Sequence, residues 1–376
     1  MEMPVSHRAR LTMSPIVERL IALIERHNWK APFELALWHA ARHHVTAIAH
    51  LRTLDDYLTF IDEMVRWAPR ESADSRAVHD KLVEFYFILD QPPLLALQSP
   101  IQATSGVPTL SPLSEWIVAY ARSWGEYLDT PESAAHIDSF RTNPAFHWNN
   151  YMPPPSGYRT FNQFFARHVK PGYRPIGQPD AADVVVAPAD AVHLGVWPVS
   201  AESTIHLKGM QWSIAQLLEG SAFANRFDGG IFTHCALRTF DYHRWHAPLA
   251  GTVLETKIIA GQAFLDVQVT HNDAGEPELH AVEGTGYQFV QTRGLVILDT
   301  SLGLVACLPV GMAQVSSVVI TAEVGKAIRK GEELGYFQFG GSDFVMLFEA
   351  RCNASFAWGA GEHHLQGVAT GICSAD

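Results

Sequence analysis

Three short stretches gather the side chains able to do chemistry. The first is Phe240-Asp241-Tyr242-His243-Arg244-Trp245-His246-Ala247-Pro248. Its two imidazoles are suited to moving protons near neutral pH. On a flat strand His243 and His246 face opposite ways, whereas a turn brings both into one cleft. A shared metal is another use of two histidines, but no third ligand stands nearby in the sequence, so no metal is expected. The plain reading is a pair of packed histidines with satisfied hydrogen bonds. The second stretch, Ala187-Pro188-Ala189-Asp190, sets an acid directly after a β-run and a proline turn. Asp190 is either a turn residue bonding its own backbone or an acid aimed inward. The third is Gly335-Tyr336-Phe337-Gln338-Phe339-Gly340-Gly341-Ser342-Asp343-Phe344-Val345-Met346-Leu347-Phe348. Alternating, strand-like runs flank Gly-Gly-Ser. The glycines supply a hairpin or bulge, or they leave the Gly341 carbonyl open to the Ser342 hydroxyl.

These residues need a scaffold, and 376 residues give room for about two domains. Hydrophobic residues make up 47% and charged residues 18%, a balance that excludes a wholly disordered chain. The formal charge of −12 argues against phosphate-backbone binding, so no nucleic-acid partner is expected, and it weighs against docking on an anionic membrane. Four scattered cysteines make no disulfide framework and point to a reduced, cytoplasmic setting. Met1–Pro15 lacks a long apolar run, so no secretory signal is expected. No stretch reaches about 18 uncharged apolar residues, so no stable membrane insertion is expected.

Apolar periodicity predicts helices over Pro15–Arg26, Pro32–Leu51, Thr53–Arg66, Ser75–Ile88 and Ser114–Leu128. Pro153-Pro154-Pro155-Ser156-Gly157 reads as a linker. Beyond Ala181 the chain turns to short β-rich runs punctuated by Gly, Pro and Asp, from Asp183–Ala187 to Val315–Ile320, with a short helix over Trp212–Leu218. The expected fold class is α+β: a helical N-terminal domain over residues 1–150, then a β-rich antiparallel sheet or sandwich over residues 151–376. His39 and His43 share the spacing of a metal pair on a helix, and are read as a packed or solvated pair.

Taken together, and in this order, the acid, the Asp-Tyr-His-Arg-Trp-His run and the Gly-Gly-Ser resemble the phosphatidylserine decarboxylase family of pyruvoyl enzymes. The resemblance covers about residues 157–350. It includes Phe161-Asn162-Gln163-Phe164-Phe165, Lys170-Pro171-Gly172-Tyr173-Arg174-Pro175, Pro188-Ala189-Asp190, Lys208-Gly209, Val310-Gly311 and Lys330-Gly331-Glu332-Glu333-Leu334-Gly335. The helical N-terminal region and the Phe-Gly-Gly-Ser form look more like the soluble tryptophan-decarboxylase branch than the membrane-bound lipid enzymes. Three departures stand out. Ala191 follows Asp190 where the family has glycine. Gly340-Gly341-Ser342-Asp343 replaces the common Leu-Gly-Ser-Thr, and Gln291-Thr292-Arg293 replaces an Asn-Glu-Arg run.

The resemblance implies self-cleavage between Gly341 and Ser342. His246 takes the hydroxyl proton, Asp190 orients the imidazole, and Ser342 attacks the Gly341 carbonyl to give an ester. Elimination and loss of ammonia leave a covalent pyruvoyl group, the cofactor, at residue 342. A substrate amine forms a Schiff base with it, carbon dioxide leaves, and His243 reprotonates the carbon. The two fragments stay associated by packing of Phe344, Met346 and Phe348, and a homodimer is possible. Phe339, Trp245 and Phe344 are the candidate substrate-binding aromatics. The expected activity is decarboxylation of a free aromatic L-amino acid, L-tryptophan to tryptamine foremost. Decarboxylation of phosphatidylserine to phosphatidylethanolamine and an unprocessed binding module are the alternatives. Lys208-Gly209 is assigned no role.

Overall fold

The computed structural model describes residues 13–102, 109–207, 210–282, 286, 289–312, 317–339 and 341–374. Lys208, Gly209 and Gly340 lie outside the described residues.

Helices come first, and local chemistry sets their ends. α1 (Pro15–His27) has proline in its first turn and closes at Asn28, whose φ of 55° is left-handed. α2 (Lys30–Ala41) stops well short of the predicted Leu51. His44 takes a φ of 54°, and only a single 3-10 turn, Thr46–Ile48, follows. α3 (Leu54–Met64) begins with a reciprocal box in which Thr53 and Asp56 cap each other's backbone N–H. α4 (Ala77–Leu89) buries most of its length. α5 (Pro112–Tyr127) starts earlier than predicted. Ser111 is its cap and accepts the Ser114 N–H, leaving Ser114 inside the first turn. The short α6 (Phe161–Phe165) is capped by Thr160.

The rest is β-rich, and the fold is α+β. Its centre is an eight-stranded sheet: β1 (Ala191–Pro198), β2 (Ile231–Leu237), β3 (Gly251–Ile259), β4 (Arg293–Thr300), β5 (Gly303–Met312), β6 (Ala327–Ile328), β7 (Gly341–Phe348) and β8 (His363–His364). The spatial order is β6-β3-β4-β5-β7-β2-β1-β8, and every pairing is antiparallel. The predicted helix over Trp212–Leu218 shrinks to Ile214–Leu217.

Both faces of the sheet are covered, which is why its middle strands read as unbroken apolar runs. On one face Val296, Val305, Cys307, Phe344, Met346 and Phe348 join Leu20, Phe33, Phe85 and Trp116 of the helices in one core. On the other, Leu295, Ile297, Leu308, Val345 and Leu347 pack against Trp212, Leu217 and Phe289. A three-stranded antiparallel sheet (Val318–Ile320, Glu333–Phe337, Arg244–His246) carries the second histidine of the two-histidine run. The four cysteines are buried and unbridged. Among the described residues, no helix is long and apolar enough to cross a membrane.

Candidate active site

Ser342 lies near the start of β7, a central strand, opposite Gly311 on β5 and Leu237 on β2. Gly341 already belongs to the extended strand and pairs with Met312. Side chains alternate along a strand, so Ser342 shares the helix-facing side with Phe344, Met346 and Phe348. It is wholly buried.

The partner of its hydroxyl is His243, whose Nδ1 is 3.0 Å from Ser342 Oγ. The other ring nitrogen, Nε2, faces the Thr239 carbonyl at 3.4 Å. A carbonyl can only accept, so Nε2 carries the proton and Nδ1 offers its lone pair to the serine O–H. Burial, reinforced by the Arg167 guanidinium, holds the His243 pKa down at about 3, so the ring is neutral. Phe165 of α6 stacks on it with centroids 3.9 Å apart.

Asp190 and His246 form the adjoining layer. The His246 N–H donates to the Pro188 carbonyl at 2.8 Å, which lays the two segments side by side. Asp190 is gripped by Arg174, whose Nε donates to Oδ1 at 2.7 Å and whose second nitrogen meets Oδ2. The Gln366 N–H also donates to Oδ1 at 2.8 Å. The His246 ring meets the Gly331 carbonyl through Nδ1 (3.0 Å) and the Tyr242 hydroxyl through Nε2 (3.3 Å). Burial depresses its pKa to about 4, while the Gly331 carbonyl, and more weakly Glu333 and Asp190, pull it up. Asp190 and His246 make no hydrogen bond to each other, and His246 makes none to Ser342. The order expected from sequence therefore differs from the arrangement found: His243 faces the hydroxyl, and Arg174 takes the carboxylate.

Of the three aromatics singled out from sequence, Phe339 lies just before the Gly-Gly-Ser and is buried among Phe161, Phe165 and Trp124. Trp245 is wholly buried beside Phe337 and Phe344, with centroids 6.4 and 5.9 Å away. Its indole covers Gly335 so closely that a Cβ there would sit 2.3 Å from the ring, which requires glycine at that position.

Comparison with known proteins speaks to the same residues. The family described as phosphatidylserine decarboxylase matches residues 161–371, more than half of the chain. The chain belongs to the phosphatidylserine decarboxylase family. Among similar proteins, the phosphatidylserine decarboxylase proenzyme 3 of Schizosaccharomyces pombe is 34% identical over 226 residues, 60% of this chain but 22% of its own length. The decarboxylase iboD of Amanita muscaria is 30% identical over 270 residues, 62% of this chain and 76% of its own. The phosphatidylserine decarboxylase proenzyme of Fusobacterium nucleatum is 30% identical over 239 residues, 63% and 73% of the two chains. The chain thus spans only about a fifth of the fission-yeast relative. As a member of this family it is a carboxy-lyase whose cofactor is a pyruvoyl group made from a serine of its own. The residues present fit such a group: a buried serine hydroxyl follows a glycine and meets the lone pair of a neutral imidazole.

Sequence reasoning missed several contacts around these residues. Asp343, noted only as a departure, points to the opposite face from Ser342, where its Oδ2 is 2.6 Å from Nε2 of the equally buried His234. His363 pairs with Asp241 of the two-histidine run at 2.9 Å. Asn162 accepts the Phe339 N–H at 3.1 Å. Asn162 and Arg174 lie inside stretches that carried the family resemblance, and that was their only signal.

Proposed function

We propose that the chain cleaves itself between Gly341 and Ser342, and that residue 342 then serves the decarboxylation of a free aromatic L-amino acid, L-tryptophan first. The observation that carries this is the buried Ser342 hydroxyl with the bare Nδ1 of His243 3.0 Å away. As the proton passes to an imidazole, Oγ bonds to the Gly341 carbonyl carbon. The Gly341–Ser342 C–N bond breaks, the amine of residue 342 takes the proton, and an ester joins the two pieces. Loss of the residue 342 α-proton and of the ester oxygen from Cβ frees Gly341 as a carboxylate. Water then displaces the nitrogen as ammonia. The resulting ketone supplies a sink for the electron pair left when a carboxylate departs. Ser342, His243, His246 and Asp190 are the residues assigned to this chemistry.

Two imidazoles compete to accept the hydroxyl proton. The 3.0 Å contact, and the Thr239 carbonyl that fixes the ring's tautomer, support His243. The family resemblance supports His246 with Asp190 beside it. Single variants separate them. Ser342→Ala stays one 41.6 kDa chain, and of His243→Ala and His246→Ala, the one that does the same names the acceptor. If both histidine variants split at the normal rate, neither role stands. His243 also adjoins residue 342 after the break, a position suited to returning a proton to the substrate carbon. His243→Ala protein that still splits is expected to turn over poorly.

For the substrate, one similar decarboxylase, iboD, is not named for a phospholipid. Phe165, Phe339 and Phe344 give the surroundings of residue 342 an aromatic character. The second reading, phosphatidylserine, is favoured by the several relatives named as phosphatidylserine decarboxylase proenzymes. Carbon dioxide release from tryptophan, tyrosine, phenylalanine and phosphatidylserine vesicles decides between them. Release from the vesicles alone replaces the first reading with the second.

A further inference from the structure

α5 lies before the segment that the family shares, yet it reaches Phe339, two residues ahead of the proposed cut. Trp124, near the end of α5, sets its indole edge-on against Phe339, with centroids 5.1 Å apart and planes at 76°. Phe161 and Phe165 close on the same ring at 5.2 and 5.4 Å, each near perpendicular. Such edge-to-face pairs add about 0.5–1.5 kcal/mol each beyond the burial they bring. The backbone is held too. The Phe339 N–H donates to Asn162 Oδ1. The amide nitrogen of Asn162 in turn donates to the Gly125 carbonyl at 3.2 Å and to Asp129 Oδ1 at 3.0 Å, both at the C-terminal end of α5. Every functional atom of the Asn162 side chain is thereby committed, and the residue is buried.

The same cluster reaches the base. Phe165, which touches Phe339 on one side, stacks on the His243 ring that meets Ser342. Two residues upstream of Phe339, the Phe337 N–H donates to the His243 carbonyl at 2.8 Å. The strand ahead of the cut, the imidazole and the end of α5 are therefore one packed unit. Behind the cut, the ladders to β5 and β2 hold residue 342.

We propose that Trp124 and Asn162 are positioning residues for self-cleavage: the end of α5 clamps Phe339 and thereby fixes the Gly341 side of the scissile peptide against the Ser342 hydroxyl. This rests on cleavage at Gly341–Ser342. It gives the helical region a task in maturation, distinct from substrate recognition. A misplacement of about 1 Å between reacting groups can cost about a hundredfold in rate. A clamp two residues from the bond is close enough to set that distance.

The experiment follows freshly made full-length protein by intact mass, scoring the small piece that begins at residue 342. Trp124→Leu and Asn162→Ala are expected to slow its appearance at least tenfold. Trp124→Phe, which keeps an aromatic edge, should stay within about threefold of the unmodified chain. Once cleaved, each variant should turn over substrate per small piece within about twofold of the unmodified chain, which loss of structure alone would not spare. The same substitutions placed in a Ser342→Ala background give melting temperatures for uncleaved protein, so a variant that fails to fold is recognised, and Trp124→Phe with Asp129→Ala, which removes the acceptor of the Asn162 amide, then carries the test. In that case Trp124→Phe should again stay near the unmodified rate and Asp129→Ala should slow cleavage. Folded variants that cleave at the normal rate, or that lose cleavage and turnover in the same proportion, overturn the clamp. An unmodified chain that never splits at Gly341–Ser342 overturns instead the reading on which it rests.

Discussion

A histidine accepts a proton only if it does not already carry one. Burial, with Arg167 behind it, keeps the His243 pKa at about 3, and burial keeps that of His246 at about 4, against an ordinary value of 6.5. Both rings are neutral throughout the mildly acid and neutral range. The rate of chain cleavage, read by intact mass, should therefore stay level from about pH 8 down to about pH 5, falling only nearer the depressed values. An inflection close to 6.5 would mean that the imidazole in charge is solvated, unlike either of these. The His234–Asp343 pair makes a second residue-scale expectation. Leaving one partner of a buried hydrogen bond unmatched costs about 1–3 kcal/mol, so Asp343→Ala should lower the urea midpoint more than Asp343→Asn, which keeps an acceptor oxygen. The residues of the candidate site were legible, their pairing less so. Gly341, Ser342, His243, His246 and Asp190 each sit in a short local string. The Thr239 carbonyl, the Phe165 stack and the hold of Arg174 on Asp190 were not legible, because they join segments that meet only through tertiary packing.

At the scale of elements, the strand that carries Ser342 is also the strand that would keep the small piece in place after the proposed cleavage. β7 has β5 on one side and β2 on the other, and Phe344, Met346 and Phe348 are buried in the core shared with the helices. Met346→Ala, in an uncleaved Ser342→Ala background, should cost about 2–5 kcal/mol in chemical unfolding. A loss below about 1 kcal/mol would show that the site collapses around the gap. Element type read well from sequence wherever the period was strong, as in α1, α3 and β3. The errors fell at ends. α2 ends at Ala41, shortly before a left-handed His44 that no periodicity announces, and the start of α5 was misplaced because Ser111 and Ser114 both resemble caps. Burial of the sheet on two faces blurred strand lengths, since its middle strands run apolar without alternation.

For the molecule as a whole, the interface between the segments before and after residue 341 carries its own sensitivity to acid. His193 of β1 stacks flat on Trp358, with centroids 4.2 Å apart. Burial first, and the neighbouring His364 and His234 next, depress its pKa to about 4. Its unfolded form takes up a proton near 6.5, so the contribution it makes is complete above that value and fades as pH falls toward about 4. Unfolding titrations of wild type and His193→Gln, side by side, should show the difference between them narrowing or reversing in favour of the variant over that window. A difference that is constant with pH would remove His193 from the account.

The place of β7 in mid-sheet also fixes an order of events. A middle strand can be threaded between two neighbours while it is still tethered to them, because the tether keeps its local concentration high. Once the tether is severed, losing that strand turns a homecoming into an encounter between strangers in dilute solution. On the proposed cleavage, the chain must finish folding before it breaks, and a matured sample that has been melted should not find its way back.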